Sequence, residues 1–150
     1  MKIVIQRVSR AGVTIHKNKV AEIEKGLLIF LGIVATDAQE DINFLVRKIA
    51  NLRIFNDARG VMNTSLIDID GAVLVVSQFT LQASTNKGNR PSYIKAAKPE
   101  TAIPLYENFV QTLEKEIGKK VQTGEFGADM KVELLNDGPV TIIIDSKNKE

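Results

Sequence analysis

GLLIFLGIV, Gly26 to Val34, is apolar at almost every position. A strand with one face in water alternates polar and apolar residues, so a run without alternation reads as a strand covered on both faces. What precedes it does alternate. KIVIQRV, residues 2 to 8, and GVTIHKNKVAEIE, residues 12 to 24, both carry the period of two expected of half-buried strands. The second reads as a hairpin that sets Val13 and Ile15 against Val20 and Ile23 across His16-Lys17-Asn18-Lys19.

Downstream of the run, Asp37 to Glu40 has the spacing of a capping box. Ile42, Leu45, Val46, Ile49 and Leu52 then share one helical face able to close over a sheet. FNDARGVMNTSLIDIDG, residues 55 to 71, is rich in Asp, Asn and Gly and reads as a loop with a short strand. AVLVVSQF, Ala72 to Phe79, starts another buried strand. STNKGNRPS, residues 84 to 92, has no periodic apolar face and reads as a loop of functional length. A second amphipathic helix is expected from about Thr101 to Ile117, with Leu105, Phe109, Val110 and Leu113 inward, Pro104 in its first turn and Gly118 at its end. MKVELLN and VTIIID then read as two strands joined at Asp137-Gly138.

The order of strands, helix, strand, helix and strands argues for a single α/β domain, residues 1 to 150, with a mixed or largely antiparallel sheet and two principal helices. No glycine pattern matches a phosphate-cradling loop, since Gly124 and Gly127 lack the lysine or third glycine at the required spacing. Familiar nucleoside triphosphate and dinucleotide sites are not expected on that ground.

Composition narrows the chemistry further. The chain has no cysteine and one histidine, which excludes disulfides, thiol nucleophiles, thiolate metal sites and a histidine-rich zinc centre within one subunit; no metal or cofactor is expected. Twenty Lys and Arg against eighteen Asp and Glu leave a net charge of +2, too balanced to announce a nucleic-acid binder. No apolar run is long enough to span a bilayer, and MKIVIQRVSR lacks the pattern of a signal peptide, so a cytoplasmic protein is expected.

Four places can carry chemistry. Ser77-Gln78-Phe79-Thr80 ends an apolar strand in amide and hydroxyl groups, which either serve local backbone or present directional donors and acceptors at a pocket edge. Thr80 as a nucleophile needs a base, and His16 falls in the distant N-terminal hairpin. The basic stretch around the loop, with Lys87, Arg90, Tyr93, Lys95 and Lys98, is either a solvated surface or a set of phosphate contacts beside a stacking ring; the latter suits an RNA end better than duplex DNA. Asp68 and Asp70 sit beside a glycine and read as turn caps. Finally, NDGPVTIIID, residues 136 to 145, puts Pro139 directly before a hydrophobic strand, where a missing backbone donor is normally a liability.

Five segments taken together, IQRV at 5 to 8, SQFTL at 77 to 81, GNRPSY at 88 to 93, TGEFGADM at 123 to 130 and NDGPVT at 136 to 141, resemble the bacterial-type D-aminoacyl-tRNA deacylase family over essentially the whole chain. The resemblance implies a homodimer with its active pockets at the subunit interface. It also implies a cis peptide at Gly138-Pro139 that reaches into the neighbouring subunit's pocket, which accounts for the proline.

The implied activity is hydrolysis of the ester between a D-amino acid and the 3' acceptor end of tRNA, with no membrane or DNA partner. L substrates are rejected sterically by the Gly138-Pro139 backbone, and glycyl-tRNA is admitted because glycine has no β-carbon. In the implied site Ser77, Gln78, Phe79 and Thr80 are catalytic or positioning groups, and Arg7 steadies the Gly138-Pro139 element. Phe79, Phe126 and Met130 bind the adenosine end, and Lys87, Arg90 and Lys98 contact phosphate. Two mechanisms are compatible with it: water activated with the help of the terminal 2'-hydroxyl, or covalent attack by Thr80. Two rivals to the activity itself are an RNA-binding relative without hydrolysis and a small-ester hydrolase that uses Thr80 covalently.

Overall fold

β1, Lys2–Ile15, is the strand around which the sheet is organised. Along one edge its first half pairs antiparallel with β3, Gly26–Gly32, and its second half with β2, Asn18–Ile23. Its other edge is taken along nearly its whole length by β8, Lys131–Asp145. The two expected N-terminal strands are therefore one. β1 turns into β2 through His16 and Lys17, both at positive φ (47° and 66°), so the hairpin is tighter than the four-residue loop expected and pairs Val13 with Ala21 and Ile15 with Asn18. This computed structural model describes residues 1–149.

β3 runs parallel to β6, Ala72–Ser77, and β6 runs parallel to the short β7, Gln122–Thr123, so the sheet is mixed, as expected. β3 is covered on both faces, as its composition requires. Leu27, Ile29 and Leu31 enter the layer beneath the helices, while Leu28 enters a second cluster with Val8, Val13, Leu74 and Val76. A separate two-stranded ribbon, β4 (Phe55–Asn56) with β5 (Met62–Thr64), fills the stretch expected to be a loop and one short strand.

The helices lie side by side on one face of the sheet. α1, Gln39–Asn51, buries Ile42, Leu45, Val46 and Ile49. Its cap is displaced from the expected box: Ala38 is the N-cap residue, and the Asp41 carboxylate accepts from the Ala38 N–H at 2.9 Å. Asp37 accepts from the Val34 N–H at 2.8 Å and pairs with the Met1 α-ammonium instead. α2, Pro99–Ile117, starts two residues before the expected boundary and ends at Gly118 in the left-handed region, φ 69°. Leu105 and Val110 are only half-buried, and Ala102 and Tyr106 join Phe109 and Leu113 inside.

The C-terminal segment departs most from expectation. MKVELLN and VTIIID do not form a hairpin; both halves lie antiparallel to β1 on the same line. The pairing passes from Val8↔Asn136 to Gln6↔Thr141, so Asp137 to Val140 stand opposite Arg7 alone as a wide bulge. Asn136 closes the foot of the bulge, accepting from the Val140 N–H at 2.8 Å and donating to the Val140 carbonyl at 3.3 Å. No helix among the described residues is long and apolar enough to cross a membrane.

Candidate active site

β6 ends where its partner strand ends. The last β3–β6 pair is Leu31↔Ser77, after which the Gln78 N–H still reaches the Leu31 carbonyl at 2.8 Å. The chain then tightens into a 3-10 helix, Phe79–Gln82. Phe79 and Thr80 are therefore not on the strand, as the apolar run had suggested, but in a one-turn helix at its tip. The cause is local. Gly32 packs against Gln78 and Leu81, and Gln82 Nε2 donates to the Gly32 carbonyl at 3.1 Å, so the segment folds back over the end of β3.

A cavity of about 300 Å³ opens beside this tip. Ser77, Gln78 and Phe79 form one wall, and Phe126 with Met130 form the other. These two walls are some fifty residues apart in sequence and meet because β7 pairs with β6 at Val75↔Thr123, delivering residues 126 to 130 to the same end of the sheet. Asp129, Ala97, Ala102 and Val132 also line the cavity, and the sequence had not singled them out. Ala102 is legible in retrospect from its place on the inward face of α2.

The walls are fixed in different ways. Phe126 meets the Tyr106 ring edge-on with centroids 5.8 Å apart, and the Tyr106 hydroxyl donates to the Val75 carbonyl at 2.9 Å. Burial pushes the Tyr106 phenol well above its ordinary pKa, so it remains a donor. Phe79 is 56% exposed and meets the Tyr93 ring edge-on at 5.1 Å. Gln78 Nε2 donates to Thr80 Oγ1 at 2.5 Å, joining the two polar side chains across the tip.

Lys87 and Arg90 do not line the cavity; they are exposed on a loop closed by reciprocal backbone hydrogen bonds between Ser84 and Ser92, at 2.8 and 2.9 Å. Lys98 is exposed at the start of α2. His16 sits in the exposed β1–β2 turn, and the side-chain partner of the Thr80 hydroxyl is the Gln78 amide. Asp68 accepts from the Ser65 N–H and hydroxyl, both at 2.8 Å, and so caps its turn as expected, while Asp70 pairs with Lys119 at 2.6 Å.

Gly138 and Pro139 are joined by a cis peptide and stand exposed on the bulge of β8. They are not part of their own chain's cavity wall. Arg7, 6% exposed, holds the bulge from below: Nε donates to the Asp137 carbonyl at 2.7 Å and Nη1 to the Ile54 carbonyl at 2.7 Å. Its hold on the segment thus passes through Asp137, not through the Gly138 or Pro139 carbonyls. Gly138 has φ 146°, and a β-carbon there would lie 2.9 Å from Arg7 Nη2 and 2.8 Å from Val140 Cγ2, so only glycine fits.

A family model described as D-Tyr-tRNA(Tyr) deacylase matches residues 4 to 145, which takes in both cavity walls and the bulge. The chain belongs to this deacylase family. It is 71% identical to the D-aminoacyl-tRNA deacylase of Flavobacterium psychrophilum and 65% identical to that of Bacteroides fragilis, each over 150 residues and the full length of both chains. The solved structure of a c-Myc DNA unwinding element binding protein is 41% identical and superposes with a TM-score of 0.90, covering 97% of this chain and 98% of that one. A solved structure described as a probable eukaryotic D-amino acid tRNA deacylase shares the fold at a TM-score of 0.82 and 15% identity, over 95% of this chain and 97% of that one. The deacylase fold is therefore the one expected: a mixed sheet with two principal helices on one face.

Proposed function

We propose that this deacylase-family chain hydrolyses the ester linking a D-amino acid to the 3'-terminal adenosine of tRNA, releasing free D-amino acid and intact tRNA. The carrying observation is the cavity at the tip of β6, where amide and hydroxyl groups face an aromatic ring and a thioether, in a chain that matches deacylases along its whole length. Such a wall suits a nucleoside end with an ester attached: Phe79, Phe126 and Met130 offer surfaces for the adenosine, and Ser77 and Gln78 offer directional groups for the aminoacyl ester.

In this reading, the N–H groups of Phe79 and Thr80 open the 3-10 helix and have no acceptor within it, so they supply donors to the oxyanion that develops at the ester carbon. The Thr80 hydroxyl faces an amide, which takes no proton from it. That favours attack by water positioned with the terminal 2'-hydroxyl of the RNA over covalent attack by Thr80. Lys87, Arg90 and Lys98 contact backbone phosphates.

Chiral selection needs the Gly138-Pro139 backbone beside the substrate's α-carbon. Because that pair is exposed and outside its own cavity, this reading takes it from a second copy of the chain, and the exposed Leu135 and Ile143 on the same strand offer apolar surface for the contact. An L residue then directs its β-carbon into rigid backbone and is rejected, whereas glycine enters. The reaction belongs beside translation in the cytoplasm.

Release of amino acid from matched D- and L-aminoacyl-tRNAs, on one tRNA and with no metal added, tests the reading. Fast D release with negligible L release is expected. Binding without any D release would instead favour a nucleic-acid-binding protein without hydrolysis, a second reading supported by the 41% identity to a DNA unwinding element binding protein. A solution mass of one chain in an active sample would overturn the cross-subunit site.

A further inference from the structure

Phe79 is the ring of the cavity wall with the least support. It is 56% exposed, belongs to a one-turn 3-10 helix, and its ring contact is a T-shaped one with Tyr93, with centroids 5.1 Å apart and planes at 76°. An exposed ring on such a short element samples several rotamers unless a neighbour selects one. Tyr93 does not line the cavity. It is held between two backbone fixings: the Ser84–Ser92 pair directly before it, and the Ala97 N–H, which donates to the Ile33 carbonyl at 2.9 Å after it. The Tyr93 carbonyl itself accepts from the Ala96 N–H at 3.0 Å.

We infer that Tyr93 is a positioning residue that sets the Phe79 ring at the cavity rim and ties it to the basic loop carrying Lys87 and Arg90. The inference rests on the proposed deacylation. Its consequence is that the loop and the site act as one body: an RNA backbone seated on the loop finds Phe79 already placed. What Tyr93 contributes is an aromatic ring, and its hydroxyl is dispensable.

The test is steady-state deacylation of a D-aminoacyl-tRNA by the full-length protein and by Tyr93→Leu, Tyr93→Phe, Phe79→Ala and the Tyr93→Leu, Phe79→Ala double variant. An edge-on aromatic contact of this kind predicts that Tyr93→Leu lowers kcat roughly two- to tenfold with KM little changed. Tyr93→Phe should retain the wild-type rate, and Tyr93→Leu should add nothing to Phe79→Ala. Wild-type kinetics in Tyr93→Leu, a loss carried by KM alone, an equal loss in Tyr93→Phe, or losses that multiply in the double variant would each overturn the inference. The proton NMR shifts of the Phe79 ring provide a readout independent of turnover. They should move in Tyr93→Leu and hold in Tyr93→Phe, and an unmoved Phe79 ring defeats the inference even if the wild type proves inactive, an outcome that would separately defeat the deacylase reading.

Discussion

Arg7 and Asp137 are joined through the backbone: the guanidinium Nε donates to the Asp137 carbonyl at 2.7 Å from a side chain that is almost fully buried. The same guanidinium reaches the Ile54 carbonyl, so one side chain ties the β8 bulge to the chain that follows α1. A planar fork can serve two carbonyls in different directions, which a lysine ammonium at the same place does not reproduce. Arg7→Ala should lower stability by about 2–3 kcal/mol, since it removes charge-assisted hydrogen bonds and leaves buried acceptors. Urea unfolding measures this. The ratio of D to L release should fall in Arg7→Ala and recover only in part in Arg7→Lys. An unchanged ratio in a folded Arg7→Ala protein would detach Arg7 from chiral selection.

Gly138→Ala sets a β-carbon against Arg7 and Val140 on backbone that other residues rarely adopt. The expected result is loss of D release by at least about tenfold, with tRNA binding largely kept because the basic loop is untouched. Filter binding and release assays on the same preparation separate the two effects.

Thr80→Ala removes a hydroxyl that meets the Gln78 amide. Under the water mechanism, release falls by no more than about tenfold, the scale of one lost hydrogen bond, while a 2'-deoxy-terminated substrate is not turned over. Abolished turnover in Thr80→Ala, with the deoxy substrate still cleaved, is the signature of covalent attack by Thr80.

Asp41 makes stability depend on acid. Burial by itself raises its pKa, but hydrogen bonds from Lys147, Ser146 and the Ala38 N–H bring it down to about 2. A carboxyl depressed in the folded state contributes stability that is fully present above its ordinary value near 4 and is lost as pH falls from there through about 2. For a shift of this size the loss is about 2 kcal/mol. Urea midpoints between pH 5 and pH 2 should fall more steeply in the wild type than in Asp41→Asn. Parallel curves would show that Asp41 is not the group responsible.

Replacing Lys87 and Arg90 together by Ala should raise KM for aminoacyl-tRNA while leaving kcat close to wild type. It should also flatten the dependence of KM on salt, because each phosphate contact removed releases fewer counterions. An unchanged salt slope would mean that the loop does not touch the RNA backbone.

Strands and helices whose apolar pattern is complete within themselves were legible in the sequence. β3, α1 and α2 stand where their patterns put them, and Ser77 to Phe79 and Phe126 to Met130 line one cavity, while Thr80 stands beside Gln78 outside its lining. What misled was chemistry that reads the same in two contexts. Asp137-Gly138 resembles a reversal, but the Asn136 side chain grips both backbone groups of Val140, and β8 resumes its line along β1. The apolar run into Phe79 looked like strand, but β6 lost its partner after Ser77 and curled. The shared cavity depends on β6 and β7 lying side by side, a pairing that no local pattern records.

The bulge on β8 is bounded at both ends by strand pairs with β1, Val8↔Asn136 on one side and Gln6↔Thr141 on the other. A segment that leaves and rejoins a single line can lengthen, shorten or change residues without re-registering Ile142 to Asp145 or disturbing the order of the sheet. The segment proposed to tell one hand of an amino acid from the other is thus an excursion from the sheet, held to it by Arg7 and kept out of the strand register on either side.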